Sequence, residues 1–154
     1  MGRELRMVPE GWEHPKNELG RYVALYSGDD YQDAVKEFEE VWKEKGLQEA
    51  IEWCGAPDKN DYMPEWAESE KTHFQMYETT SEGTPISPPM PTPEALAKWL
   101  VDNNASAFGR STASYESWLA TIQAGYAPSA VLTGGKMISG VEANQVLSNP
   151  TVTK

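Results

Sequence analysis

Five prolines fall within nine residues, at Pro85, Pro88, Pro89, Pro91 and Pro93. Each removes a backbone N–H and fixes φ, so neither a helix interior nor a regular β-ladder can pass through this stretch. The run is expected to be an extended, stiff connection. It also marks a change in character. Residues 1–82 hold twenty acids against nine bases, whereas residues 83–154 hold four of each. The net charge of -11 therefore belongs entirely to the first 82 residues.

Before the prolines, Tyr31, Ala34, Val35, Phe38, Val41 and Trp42 recur at helical spacing and predict a helix over 30–45. Ser27-Gly28-Asp29-Asp30 offers its start and Gly46 its stop. Leu47, Ala50, Ile51 and Cys54 predict a short helix over 47–54, followed by a polar loop with one helical turn near Glu65–Glu70. Residues 73–80 read as a strand, with Phe74 and Met76 on one side and His73, Gln75, Tyr77 and Thr79 on the other. Residues 1–28 are expected to form an arm or meander, with a short strand over 21–26.

After the prolines begin, Thr92-Pro93-Glu94 supplies a cap, a first-turn proline and an acid at the positive helix end. It predicts a helix to about Asp102. A further helix is expected from Ser111-Thr112 to Ala124, ended by Gly125. Gly134-Gly135, between two short apolar runs, reads as a hairpin turn. Residues 143–154 show no apolar pattern and are expected to be a loose tail. The fold class this predicts is α+β: one domain over 1–142, with about four helices and a small, mainly antiparallel sheet. A hydrophobic share of 39% makes the core modest, and six Trp and seven Tyr make it aromatic.

The acidic balance argues against direct nucleic-acid binding, which needs a basic face. It suits docking onto a basic partner. A lone cysteine, Cys54, excludes a disulfide framework and is expected to be a small core residue. No apolar run reaches the ~20 residues needed to span a bilayer, and no signal peptide is recognised, so a cytoplasmic location is expected. His14 and His73 lie in no metal-binding frame and are expected to be structural. No catalytic residue, metal or cofactor is assigned, and the reading leans against an enzyme.

Two sets of binding candidates remain. The acidic face comprises Asp33, Glu37, Glu40 and Glu44 on the predicted 30–45 helix. The polar loops supply Thr80, Ser81, Glu82 and Thr84 after the strand, Arg110 and Ser111 before a helix, and Lys136 at the hairpin. Backbone N–H groups and cations there would suit a small anionic ligand such as a nucleotide signal. Exposed aromatics would favour a homodimer.

Several segments resemble a family of small uncharacterised proteins of tailed phages and prophages. Tyr77-Glu78-Thr79-Thr80-Ser81-Glu82-Gly83-Thr84-Pro85-Ile86-Ser87-Pro88 carries the likeness, followed by the helix start Thr92-Pro93-Glu94-Ala95-Leu96. Tyr115-Glu116-Ser117-Trp118-Leu119, Gly125-Tyr126-Ala127-Pro128-Ser129-Ala130, Arg6-Met7-Val8-Pro9 and Trp12-Glu13-His14-Pro15 extend it. The resemblance implies a phage accessory protein in the bacterial cytosol. By analogy it implies an inhibitor that binds a host protein, such as a nucleic-acid-handling defence complex. The alternative is a protein that binds or sequesters a small ligand.

Overall fold

The structure, a computed structural model, describes residues 2–79, 83–133 and 135–148. In chain order the elements are β1 (Arg3–Val8), α1 (Gly28–Lys45), α2 (Leu47–Trp53), β2 (His73–Glu78), α3 (Pro93–Asp102), α4 (Tyr115–Ala124), β3 (Tyr126–Ala127), β4 (Ala130–Thr133), β5 (Lys136–Ser139) and α5 (Gly140–Ser148). Single helical turns cover Lys59–Asp61 and Glu68–Glu70. The fold is α+β with small antiparallel sheets. It divides into two compact units, residues 1–23 with 66–154, and residues 24–65.

In the larger unit, β1 lies between β2 and β3 in a three-stranded antiparallel sheet. Leu5 pairs with Met76 and Met7 with Phe74, so these four side chains share one face. That face meets the core, where Met76, Leu96, Leu100, Trp118, Ile122 and Val141 are buried together. Glu4 pairs with Tyr77 and Arg6 with Gln75, and these face the opposite way. The expected arm therefore begins with the central strand. Its charges hide it: Arg3 and Arg6 are both buried, so β1 shows no apolar alternation of the usual kind. Arg3 is satisfied far along the chain, donating from Nε to the Ser106 carbonyl at 2.8 Å, with Glu78 at 3.8 Å.

The helices follow local chemistry. Thr92 Oγ1 accepts the Ala95 N–H at 3.0 Å and Pro93 opens α3. Ser114 Oγ caps α4 by accepting the Ser117 N–H at 3.1 Å. The expected start at Ser111-Thr112 is displaced because Ser111 closes a turn with Phe108, its N–H reaching the Phe108 carbonyl at 2.8 Å. Gly125 ends α4 in the left-handed conformation, φ 87°. The predicted hairpin forms between β4 and β5.

Residues 143–148, expected as part of a loose tail, continue α5 instead. The helix is held by short and polar anchors that leave no apolar stripe to read. Val141 and Ala143 are buried, and Asn144 Nδ2 donates to Thr121 Oγ1 at 3.1 Å and to the Tyr126 carbonyl at 2.8 Å. Residues 149–154 lie outside the described residues.

In the smaller unit, α1 and α2 are joined at Gly46 and pack on one another. Leu25, Phe38, Ala50 and Met63 are its buried apolar residues. The Tyr26 N–H bonds to the Asp61 carbonyl at 2.9 Å, and the Met63 N–H returns to the Tyr26 carbonyl at 2.9 Å. The strand expected over 21–26 reduces to isolated bridges at Tyr22 and Tyr26.

Gly140 shows how tightly α5 is seated. A Cβ there would overlap the Pro128 carbonyl, which is backbone and cannot swing away. Gly140→Ala is expected to lower stability by about 2 kcal/mol or more in denaturant unfolding. Gln123→Ala, on the exposed side of α4, should stay within about 0.5 kcal/mol of the parent.

Candidate functional site

The proline run lies along β2. Phe74 exchanges both backbone hydrogen bonds with Met90, at 2.7 and 2.8 Å, and the Ile86 N–H reaches the Met76 carbonyl at 2.9 Å. Between Ile86 and Met90, where Pro88 and Pro89 have no N–H to give, side chains take over. Ser87 Oγ accepts the Met76 N–H at 3.0 Å, and Gln75 Nε2 donates to the Ser87 carbonyl at 2.9 Å. The run is extended and lacks a regular ladder, as its composition predicts.

Residues 15–23 form a second wall. Asn17 Oδ1 accepts the N–H groups of Leu19 and Arg21 at 2.9 and 3.1 Å, and the Val23 N–H bonds to the Pro15 carbonyl at 3.0 Å. This side-chain turn bridges Lys16 to Tyr22. A cleft of about 800 Å³ is lined by both stretches. Trp12, Tyr22 and Trp99 give it aromatic surface, and Pro85, Pro88 and Pro89 give it aliphatic rings. His14, Gln75 and Ser87 are its buried polar residues; Glu13 and Lys16 are its exposed charges.

The buried polar groups meet at Tyr77, which has no solvent exposure. Trp12 Nε1–H donates to Tyr77 Oη at 3.3 Å, His14 Nδ1 lies 2.9 Å from it, and Gln75 Oε1 lies 3.2 Å from it. The Arg6 guanidinium stacks 4.3 Å over the Tyr77 ring and donates to Glu4 Oε2 at 3.0 Å. Burial pushes the Tyr77 phenol up to about 12, so it keeps its proton. His14 Nε2 faces the Val23 carbonyl, which can only accept. The ring proton therefore sits on Nε2, and the neutral ring takes the Tyr77 hydroxyl proton at Nδ1. A second proton on His14 would reverse that bond and send the hydroxyl proton to Gln75. Burial opposes this and holds His14 below its ordinary 6.5; the Val23 carbonyl works against the shift and Arg6 reinforces it.

The acidic candidates lie elsewhere, in the smaller unit. Asp33, Glu37, Glu40 and Glu44 are spaced four, three and four apart, so on α1 they form one stripe about 16 Å long. All four are exposed, and no ion pair joins any of them to another described residue. Cys54, half-buried at the end of α2, has its thiol pushed up by burial and by Glu37, which disfavours the reactive thiolate.

The polar-loop candidates among the described residues, Thr84, Arg110, Ser111 and Lys136, do not line the cleft. Thr84 Oγ1 donates to Glu78 Oε2 at 3.3 Å, Arg110 and Ser111 belong to an exposed turn, and exposed Lys136 opens β5. No hydrogen bond or ion pair joins Thr84, Arg110, Ser111 and Lys136 to one another. Thr80, Ser81 and Glu82 lie outside the described residues. Sequence reasoning passed over Trp12, Tyr22, Gln75 and Trp99, because their meeting depends on segments more than fifty residues apart. The chain matches no known family model, no curated protein and no solved structure. The phage likeness thus stands on the sequence segments quoted above.

Tyr77→Phe would strip Trp12 of its acceptor and His14 of its donor, and is expected to cost about 2 kcal/mol in denaturant unfolding. His14 makes a further prediction. Its pKa is lower folded than unfolded, so the unfolded chain binds the extra proton first on acidification. Stability from this group is complete above pH 6.5 and is lost as pH falls towards the depressed folded value. The stability lost between about pH 7.5 and about pH 5.5, above the main carboxylate range, should shrink in His14→Gln.

Proposed function

We propose that the protein acts by binding, as a phage accessory protein that docks an acidic face onto a basic surface of a bacterial host protein and inhibits it. The observation that carries this reading is the stripe Asp33, Glu37, Glu40 and Glu44: four exposed carboxylates in a row, with no cation among the described residues paired to them. The smaller unit as a whole holds twelve acids against four bases. Such a row complements a groove lined with Lys and Arg, and nucleic-acid-handling defence complexes present grooves of that kind. The resemblance to phage proteins supports the same direction. A ligand-binding reading stands beside it, favoured by the cleft, whose volume falls within the range that holds small organic molecules or short peptide segments.

The test is capture from bacterial lysate on the immobilised protein. A discrete host protein should be retained, released by salt, and lost when Asp33→Lys, Glu37→Lys, Glu40→Lys and Glu44→Lys are combined. The captured protein's activity should fall when the parent is added. Capture that is indifferent to the charge reversal would sink the reading.

A further inference from the structure

The cleft in the larger unit has an uneven supply of hydrogen-bonding groups. Its buried polar residues are already committed. Gln75 Nε2 serves Ser87, while its Oε1 faces Tyr77 Oη without receiving the hydroxyl proton, which goes to His14; Ser87 Oγ serves Met76 and the Pro88 carbonyl; both His14 nitrogens and the Trp12 N–H are engaged. What remains is mostly donors: the Trp99 indole N–H and the Tyr22 hydroxyl, neither of which makes a hydrogen bond to another described residue, and the Lys16 ammonium, 5.1 Å from the Tyr22 ring centroid. The rest of the lining is flat apolar surface from Trp12, Tyr22, Trp99 and the prolines.

We propose that this cleft binds a proline-rich segment of a partner protein in the polyproline II conformation. Three physical matches carry the assignment. Proline rings pack flat on Trp and Tyr faces, burying apolar area on both sides. A proline-rich chain has carbonyl acceptors and almost no N–H donors, so it uses the Trp99 and Tyr22 donors and brings few donors of its own to be stranded against a lining already saturated. The polyproline II helix is also ordered before binding, so an open cleft with few directional contacts gives up little conformational entropy on taking it. A polar metabolite would instead need several free acceptors and donors at the buried end, where among the described groups Gln75 Oε1 alone lacks a proton to accept. Glu13, the one carboxylate among the described lining residues, lies on the exposed side and suits a basic residue flanking the prolines. None of this rests on the acidic stripe.

The experiment titrates the full chain with synthetic decaproline, and with a Gly-Ser peptide of equal length, following intrinsic tryptophan fluorescence and isothermal calorimetry. Decaproline should bind saturably, and the Gly-Ser peptide at least about ten-fold more weakly, through loss of ring packing and preorganisation. Tyr22→Phe keeps the ring and deletes the hydroxyl, whereas Trp99→Phe deletes the N–H and also narrows the aromatic face; each should weaken decaproline binding about five-fold or more. Tyr22 is exposed, so its variant is expected to fold; thermal melts check both. Three results would overturn the proposal: no saturable decaproline binding up to millimolar peptide, equal binding of the Gly-Ser peptide, or full affinity in folded Tyr22→Phe. Saturable binding of indole or adenosine monophosphate without decaproline binding would overturn it too, and would assign the cleft to a small planar ligand.

Discussion

The hydroxyl of Tyr77 is the point on which the polar side of the larger unit depends. It offers one proton and two lone pairs, and three side chains from two separate stretches converge on it: Trp12, His14 and Gln75. Gln75 passes the constraint on to Ser87 and so to the proline run. His14 passes it to Val23 and so to the end of the arm. Neither stretch owes its position to a regular ladder. Removing solvent from these groups would be unfavourable if any lost its partner, and that penalty fixes the arm and the proline run relative to β2. Arg6 over the Tyr77 ring adds a buried cation whose partner, Glu4, comes from the same strand.

The sequence announces elements built on local chemistry. The α1 stripe, the Thr92-Pro93 start of α3, the Gly125 stop of α4 and the pairing of β4 with β5 all appear, because caps and periodicity act within a few residues; Gly134 of the expected turn lies outside the described residues. Elements that depend on distant partners are silent. β1 reads as an arm because Arg3 and Arg6 interrupt its pattern, and Arg3 draws partners from as far along the chain as Glu78 and Ser106. α5 reads as a tail because Asn144, rather than an apolar stripe, anchors it. The acidic candidates were legible for the same local reason, being set by helical spacing. The cleft was not, since its aromatics come from Trp12, Tyr22 and Trp99, which nothing in the chain order relates.

The two units divide the chemistry between them. The smaller buries only a few apolar side chains and exposes Trp42, Leu47, Ile51 and Trp53 together with most of the charge. With so thin a core, its helix pair gains much of its order from packing at Phe38 and Ala50, and its outer face is left for charge. The larger unit sets Arg6 and the hydrogen-bond network around Tyr77 on one face of the sheet, and Leu5, Met7, Phe74 and Met76 on the other, against the apolar core.

The proline run has one more consequence. β2 without a neighbour on that side would present a row of unpaired N–H and C=O groups, a template on which a strand of another molecule could grow. Residues 84–90 occupy that row, with bonds from Thr84, Ile86, Ser87 and Met90. Their own outer border is punctuated by Pro85, Pro88 and Pro89, which have no N–H to extend the lattice further. The sheet thus ends in a border that cannot be copied, and a protein with a modest core and many exposed aromatics is spared growth into fibres at that side.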